Sequence, residues 1–273
     1  MRLKTILILI LISLIARNTS KINKNIIKSP NKELNLSFFL TNNNQPAYTL
    51  SYKNTMVLDT SLMAFVLKKN PALKTNFKII GTEFKTFNKS WKPVWGEYDS
   101  IENNYNELKI HLKETSNLKR ELYIVFKLYD EGLGFRYEFP KQPNLNKVVI
   151  MDEQTQFHLT NDATAWWIPA DYDSYEYHYT KSKVSEINAL KAGYEQRHDR
   201  HSNNLHAVNT PVTLKTNEGL YVSIHEANLI NYSGMTLAVK SNNTLQSELV
   251  PALDGNTVKV NTPFVILRGE QFK

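Results

Sequence analysis

The sequence predicts an all-β protein, built as a large antiparallel β-sandwich with few short helices. Short segments rich in β-branched and aromatic residues recur along the chain, and several of them alternate apolar and polar residues with a period of two. Turn-forming residues separate these segments, and no long segment keeps a helical period. Many short strands at near-regular spacing are typical of a sandwich rather than of alternating strands and helices.

The predicted elements begin near residue 34 and follow one another to the end of the chain. The clearest strands are residues 34–40, 48–53, 108–114, 122–129, 134–140 and 220–227. Asn, Asp, Gly and Pro mark turns at residues 42–46, 130–132, 217–219 and 254–256. Residues 181–192 place Val184, Ile187 and Leu190 at helical spacing, which predicts one or two turns of amphipathic helix.

Composition restricts the class of protein to which the chain can belong and the partners that it can bind. The 273 residues are 41% hydrophobic and 22% charged, as in an ordinary globular protein with a sizeable core. The net charge of +7 is spread thinly, without a run of five basic residues, so we expect no nucleic-acid partner. The absence of cysteine excludes a disulfide framework, a thiolate metal site and a lipid-modified cysteine.

The first 22 residues resemble a secretory signal peptide. Arg2 and Lys4 precede an apolar run from residue 6 to residue 16, which is short for a membrane span. The cleavage site is poorly defined, so an uncleaved anchor stays open as an alternative. We therefore expect an exported, periplasmic protein.

The stretch DATAWWIPADYDSYEYHYT, residues 162–180, is the most informative part of the chain. It combines aromatic side chains with four carboxylates, those of Asp162, Asp171, Asp173 and Glu176. Flat apolar faces beside hydrogen-bond acceptors suit a sugar ring, and carboxylates at this density suit calcium, which collects several oxygen ligands. The alternative is a buried aromatic strand followed by an acidic surface loop.

Several blocks together resemble the N-terminal domain of glycoside hydrolase family 97, the exported α-glucosidases and α-galactosidases of Bacteroidetes. These blocks extend from residue 29 to residue 264. They are SPNKELNLSF, SWKPVWGEYDSIENNYNEL, LYDEGLGFRYEFP, the stretch at 162–180, SEI, TLKTNEGLYVSIHEANLINYSGM and the Asp254–Gly255 turn.

The resemblance implies a fold, and it implies that a second domain carries out catalysis. Residues 28–264 would form a super-sandwich like that of galactose mutarotase, packed on a (β/α)8 barrel that acts on an α-linked glucoside or galactoside. The barrel would supply the catalytic carboxyl pair, which glycosidases need, and most ligands of a calcium ion. We therefore expect a non-catalytic part of a calcium-dependent α-glycosidase, with no catalytic residue of its own and with calcium bound only together with the barrel.

The resemblance also implies particular site residues. The glutamate of the DYDxxEY motif, here Glu176, would ligate the calcium. Trp166, Trp167 and Asp173 are the candidates for substrate binding, while Asp171 either shapes the loop or caps a turn. Trp91 and Trp95 are expected to pack within the sandwich.

Two other functions remain open. A free-standing carbohydrate-binding module would use the aromatic residues between Trp166 and Tyr179 as its platform. A mutarotase-like enzyme would need a cooperating acid–base pair. His225 and Glu226 are the only adjacent pair on a predicted strand, and neighbours on a strand point to opposite faces.

The last nine residues, 265–273, diverge from the family pattern. After Thr262, Pro263 and Phe264 the family continues with a TPWRTI-like segment, whereas this chain continues with VILRGEQFK. Codons that encode ILRGEQF can also encode TPWRTI in a shifted frame. This coincidence predicts a frameshift just after Phe264.

Overall fold

The computed structural model describes residues 25–171, 174–196, 205–241, 243–249, 258–261 and 264–269. The expected signal peptide therefore lies outside the described residues. Within the described residues, no helix combines the length and the apolar character needed to cross a membrane.

More than half of the described residues lie in strands. The strands are β1 (Asn25–Lys28), β2 (Leu34–Leu40), β3 (Pro46–Tyr52), β4 (Thr55–Leu62), β5 (Phe65–Leu67), β6 (Asn70–Leu73), β7 (Phe77–Trp91), β8 (Ile101–Glu114), β9 (Glu121–Leu128), β10 (Leu133–Phe139), β11 (Lys147–Glu153), β12 (Gln156–Leu159), β13 (Thr164–Trp167), β14 (Thr180–Lys183), β15 (Ala207–Asn209), β16 (Val212–Lys215), β17 (Tyr221–Ile224), β18 (Met235–Ser241), β19 (Thr244–Leu249), β20 (Val258–Asn261) and β21 (Phe264–Gly269). The helical elements are α1 (Ala189–Gln196) and the 3₁₀ turns Pro143–Leu145 and Val184–Glu186.

These strands form four antiparallel sheets. Sheet A has the order β1-β2-β3-β4-β12-β19-β18-β15, and sheet C has the order β21-β10-β9-β8-β7. The two smaller sheets are sheet B (β20-β11-β5-β6) and sheet D (β14-β13-β16-β17). The prediction of an all-β antiparallel sandwich is confirmed.

One core cluster draws buried residues from all four sheets, and much of it lies between sheets A and C. The period-two pattern of the strands explains which residues face it. Buried and partly buried residues alternate along the whole of β10, as expected for a strand with one face toward a core. Tyr48 of sheet A lies 5.9 Å from Phe126 and 6.0 Å from Phe135 of sheet C, measured between ring centroids. Burial raises the pKa of the Tyr48 hydroxyl, which donates a hydrogen bond to the Gln156 carbonyl.

The region predicted as one short amphipathic helix contains three elements. Residues 180–183 form β14, a 3₁₀ turn follows, and the helix α1 begins only at Ala189. Val184 and Ile187 are buried although they lie outside the α-helix. The spacing of these two apolar residues therefore reflects burial of the segment. It does not reflect an α-helix.

Strands β7 and β8 extend beyond their sheet as a two-stranded ribbon. They pair with each other up to Trp91 and Ile101, whereas β9 pairs with β8 only from Asn106 onward. We call residues 87–105, which lie past this point, the hairpin arm. Its base is held by an aromatic stack of Phe87 on Tyr105, with centroids 5.2 Å apart.

The divergent tail begins in strand β21, where residues 264–269 pair with β10 from Phe139 to Gly134. Residues 270–273 lie outside the described residues. This pairing does not test the frameshift, which stays a prediction that sequencing the gene would check.

Candidate functional site

Strand β13 places the two adjacent tryptophans on opposite faces of sheet D. Trp167 is buried in the core, and its indole Nε1 donates a hydrogen bond to the Ser182 hydroxyl at 3.0 Å. Trp166 is only partly buried. Any effect of Trp167 on a sugar would therefore act through the residues packed on it, and the predicted substrate contacts of both tryptophans stay predictions.

Trp166 belongs to an aromatic pair on the outer face of sheet D. Its ring stacks on Tyr221, with centroids 6.0 Å apart and planes inclined by 29°. The ammonium groups of Lys181 and Lys215 lie 5.3 and 5.2 Å from the Trp166 and Tyr221 ring centroids, respectively. The result is an aromatic pair at the surface with one ammonium group over each ring.

Buried hydrogen bonds fix the loop that follows β13. Asp171 is buried, and its carboxylate accepts a hydrogen bond from the Tyr177 hydroxyl at 2.5 Å. The side-chain amide of Asn209 donates to the Asp171 carbonyl at 3.1 Å. Of the two readings offered by the sequence, this geometry favours Asp171 as a residue that shapes the loop. Asp173 lies outside the described residues.

Glu176 lies on the exposed side of the same loop, one residue before the buried Tyr177. Its backbone N–H donates to the Ser174 hydroxyl at 3.1 Å. Gln196 of α1 holds the next residues, because it accepts a hydrogen bond from the His178 N–H at 2.6 Å and donates to the His178 carbonyl at 3.3 Å. Hydrogen bonds thus hold the loop on both sides of Glu176, and the Glu176 carboxylate lies on the surface.

One carboxylate does not make a calcium site. The ion takes six to eight oxygen ligands. Among the described residues, no group of three or more His, Cys, Asp or Glu side chains is arranged to hold a metal. The role of Glu176 as a calcium ligand stays a prediction.

Glu226 lies close to the Glu176 loop. The sequence did not indicate this proximity. Burial, and next the negative charge of Glu226, raise the pKa of the Tyr175 hydroxyl. The Glu226 carboxylate also accepts a hydrogen bond from the Met235 N–H at 2.8 Å. No local signal brings residues 175 and 226 together, because they follow different strands and meet only in the fold. His225 and Glu226 come directly after β17, which ends at Ile224.

The hairpin arm carries a second exposed surface. Val94 is fully exposed, Trp95 is 89% exposed, and Trp91 and Tyr98 are more than half exposed. The expectation that Trp91 and Trp95 pack within the sandwich is wrong, because both side chains are more than half exposed on an arm that extends past β9. Apolar groups this exposed usually mark an interaction surface.

We expect Tyr177→Phe to loosen the Glu176 loop. The change leaves the buried Asp171 carboxylate without its short hydrogen bond, which should lower the free energy of unfolding by about 1–3 kcal/mol. Urea denaturation followed by fluorescence measures this loss. Tyr179→Phe is the matched control, since Tyr179 is 56% exposed in the same loop. Equal stability of the two variants would contradict the bracing role of Asp171.

Comparison with known proteins identifies the family. Residues 27–264 match the family described as glycosyl-hydrolase 97 N-terminal. A retaining alpha-galactosidase from Bacteroides thetaiotaomicron is 22% identical over 231 residues, which are 80% of this chain and 31% of that protein.

Solved structures also match most of this chain but only part of the longer protein. A glycoside hydrolase family 97 enzyme from Pseudoalteromonas sp. strain K8, in complex with acarbose, is 29% identical, with a TM-score of 0.79 over 90% of this chain and 35% of that enzyme. A beta-arabinopyranosidase shares the fold at 21% identity, with a TM-score of 0.76 over 90% of this chain and 39% of that enzyme. The chain spans about a third of the length of these relatives. From residue 27 to residue 264, the chain belongs to glycoside hydrolase family 97 as its N-terminal domain.

Proposed function

We propose that this chain is the non-catalytic N-terminal sandwich of a calcium-dependent, periplasmic α-glycoside hydrolase. It would pack on a (β/α)8 barrel and give that barrel one calcium ligand, Glu176. The observation that carries this proposal is the geometry of the loop: the buried Asp171–Tyr177 hydrogen bond holds the chain while the Glu176 carboxylate faces outward. A braced loop positions a ligand more closely than a mobile one does.

The chemistry requires a second domain. Hydrolysis of a glycosidic bond uses two carboxyl groups separated by about 5 to 9.5 Å, which the barrel would supply. Bound calcium would supply positive charge that polarises the sugar oxygens. Glu176 would neutralise part of that charge and fix the position of the ion relative to the sandwich.

Exposed apolar residues support a protein partner of this kind. Beside the hairpin arm, the loops that carry Glu176 and Glu226 expose Tyr175, Tyr179, Leu229 and Ile230. The longer relatives contain about twice as much additional chain as this domain. A catalytic domain seated on these loops would cover both the apolar residues and the calcium ligand.

A fusion protein tests the role of Glu176. It joins residues 27–264 of this chain to the part of the Pseudoalteromonas enzyme that follows its matching region. We expect Glu176→Gln to raise the calcium concentration needed for half-maximal activity by about tenfold or more, because calcium affinity depends on the number of charged ligands. Nitrophenol release from nitrophenyl α-glucoside and α-galactoside is the readout.

The matched control is Glu195→Gln, which removes a carboxylate that is 65% exposed on α1. An unchanged calcium requirement in Glu176→Gln would contradict the ligand role. The chain by itself should release no nitrophenol from either substrate. Calcium-dependent release by the pure chain, lost in Glu176→Gln, would contradict its assignment as non-catalytic.

The Trp166–Tyr221 pair favours one alternative, a free-standing carbohydrate-binding module. Aromatic rings at the surface suit the apolar face of a sugar, and the lysines over these rings could donate hydrogen bonds to its hydroxyl groups once displaced from the ring faces. Affinity electrophoresis in gels containing starch or galactomannan distinguishes the two functions. If the polysaccharide slows migration of the wild-type chain and Trp166→Ala restores it, the carbohydrate-binding module is favoured. If the polysaccharide does not slow the wild-type chain, the glycosidase domain is favoured.

A further inference from the structure

Among the residues that the structure describes, β7 is the longest strand, and no strand lies beside its outer edge. It is the last strand of sheet C, where β8 pairs with its other edge. From Thr82 to Thr86 all its side chains are exposed. An open edge presents N–H and C=O groups with which another extended segment can pair. Because the Glu176 loop follows a strand of sheet D, a partner at this edge does not depend on the calcium role of Glu176.

Hydrogen bonds hold the middle of this edge in place. The Thr86 hydroxyl donates to the side-chain carbonyl of Asn106 at 2.8 Å, and the Asn106 amide donates to the Lys28 carbonyl of β1 at 2.9 Å. Phe84 and Ile26 line the same groove between β7 and β1, and they are 59% and 50% exposed. The edge is therefore fixed and has an apolar centre, so a partner strand would lose little stability to the ordering of this segment.

The sequence of this edge is complementary to itself. Residues 81–87 read GTEFKTF, in which opposite charges stand on either side of Phe84. When two copies of the segment pair antiparallel about a two-fold axis at Phe84, Glu83 of each copy lies opposite Lys85 of the other. Opposite charges, threonine pairs and aromatic pairs stabilise neighbouring strands, and an aromatic ring over a glycine stabilises an edge. The other opposed positions in this register are Thr82 with Thr86, Gly81 with Phe87, and Phe84 with Phe84.

Neighbouring registers fit less well. Side chains that lie opposite each other share one face of a sheet, so a two-fold register of two identical strands is always centred on a residue. A centre at Glu83 or at Lys85 would set like charges opposite each other, which is destabilising. A centre at Thr86 would set the apolar Phe84 opposite the polar Asn88. The register centred on Phe84 therefore satisfies the charges and the apolar residue together.

We propose that β7 pairs with β7 of a second copy of this chain in the register centred on Phe84. The two copies of sheet C, with five strands each, then form one sheet of ten strands. Phe84 pairs with the buried Leu108, so the two Phe84 rings meet on the core-facing side of the sheet and the charges lie on the other side. Lysine on an edge normally discourages pairing. Here Lys85 lies 3.6 Å from Glu83 of its own strand, and the second copy places another carboxylate opposite it.

Charge reversal followed by mixing tests the self-pairing. Sedimentation velocity of the purified chain at about 1 μM to 1 mM should show a monomer–dimer equilibrium. Glu83→Lys and Lys85→Glu should each raise the dissociation constant of the dimer by about tenfold or more, because each turns two attractive pairs into two repulsive ones. An equimolar mixture of the two variants should dimerise again, since lysines on one edge then face glutamates on the other. Glu195→Lys, which reverses an exposed charge on α1, is the matched control and should dimerise like the wild type.

Cysteine pairing checks the register, and it does so even if a charge-reversed variant does not fold. The chain contains no cysteine, so introduced thiols react only with each other. Position 82 of one copy lies opposite position 86 of the other, within reach of a disulfide, whereas the two copies of position 82 are about 13 Å apart. Thr82→Cys mixed with Thr86→Cys should therefore cross-link on mild oxidation, and neither variant should cross-link alone. The proposal is overturned if the wild type stays monomeric, if both folded charge-reversed variants dimerise like the wild type, if their mixture stays monomeric, or if the mixed cysteine variants do not cross-link.

Discussion

Arg120→Met should lower the free energy of unfolding by about 3–5 kcal/mol, because it leaves the buried carboxylate of Glu114 without its cation. Both side chains are almost fully buried. Arg120 donates from Nε and Nη2 to the two oxygens of Glu114, at 2.6 and 2.7 Å, and from Nη1 to the Pro71 carbonyl at 2.8 Å. The pair thus ties β8 and the start of β9 to β6.

Two controls separate the lost pair from lost packing. The double variant Arg120→Met with Glu114→Leu removes both charges and should recover much of the stability, since apolar replacements of buried ion pairs are often neutral. Lys53→Met breaks the exposed pair with Glu33 and should leave the free energy of unfolding nearly unchanged, because solvent screens exposed ion pairs. Urea denaturation of all three variants provides the measurement. A loss in Arg120→Met no larger than that in Lys53→Met would contradict the prediction.

Trp167→Ala should be destabilising by about 3–5 kcal/mol, the range found when a buried aromatic residue is truncated to alanine. Trp167 is buried within the main core, and its indole N–H is paired with Ser182. The variant therefore creates a large cavity behind the Glu176 loop. Thermal and urea denaturation both report the change.

Trp166→Ala is the matched control, because its side chain is the immediate neighbour on the opposite face of β13. It loses a surface stack with Tyr221 rather than core packing, so we expect a loss of about 0.5–1.5 kcal/mol. If the two variants lost equal stability, the assignment of Trp167 to the core would be wrong.

The sequence predicted the strands within the sheets better than the hairpin arm that extends from them. Alternation in residues 133–139 and the turn at residues 130–132 identified β10 and the turn before it, because one buried face and one hairpin leave local signals. The hairpin arm left no such signal. Its residues 88–91 are all exposed, and the length of β9 decides where β7 and β8 leave the sheet.

The candidate site was predictable only in part. The acidic and aromatic stretch pointed to the loop of Glu176, but it made both Trp166 and Trp167 candidates for substrate binding, although neighbours on a strand face opposite sides. The proximity of Tyr175 and Glu226 could not be predicted, because it depends on how two loops meet after sheet D has formed. The buried role of Asp171 depends likewise on Tyr177 and Asn209 approaching it in three dimensions.

The position of β12 has a consequence for the order in which the chain folds. This short strand joins the two halves of sheet A, because Leu159 pairs with Leu58 of β4 and Phe157 pairs with Leu245 of β19. The sheet of the first four strands is therefore complete only when β12 and β19, much later in the chain, are also available to pair. Contacts this distant in sequence slow folding, since the intervening loops lose entropy first. During synthesis, the apolar strands β2 and β3 would stay available to chaperones that hold unfolded chains.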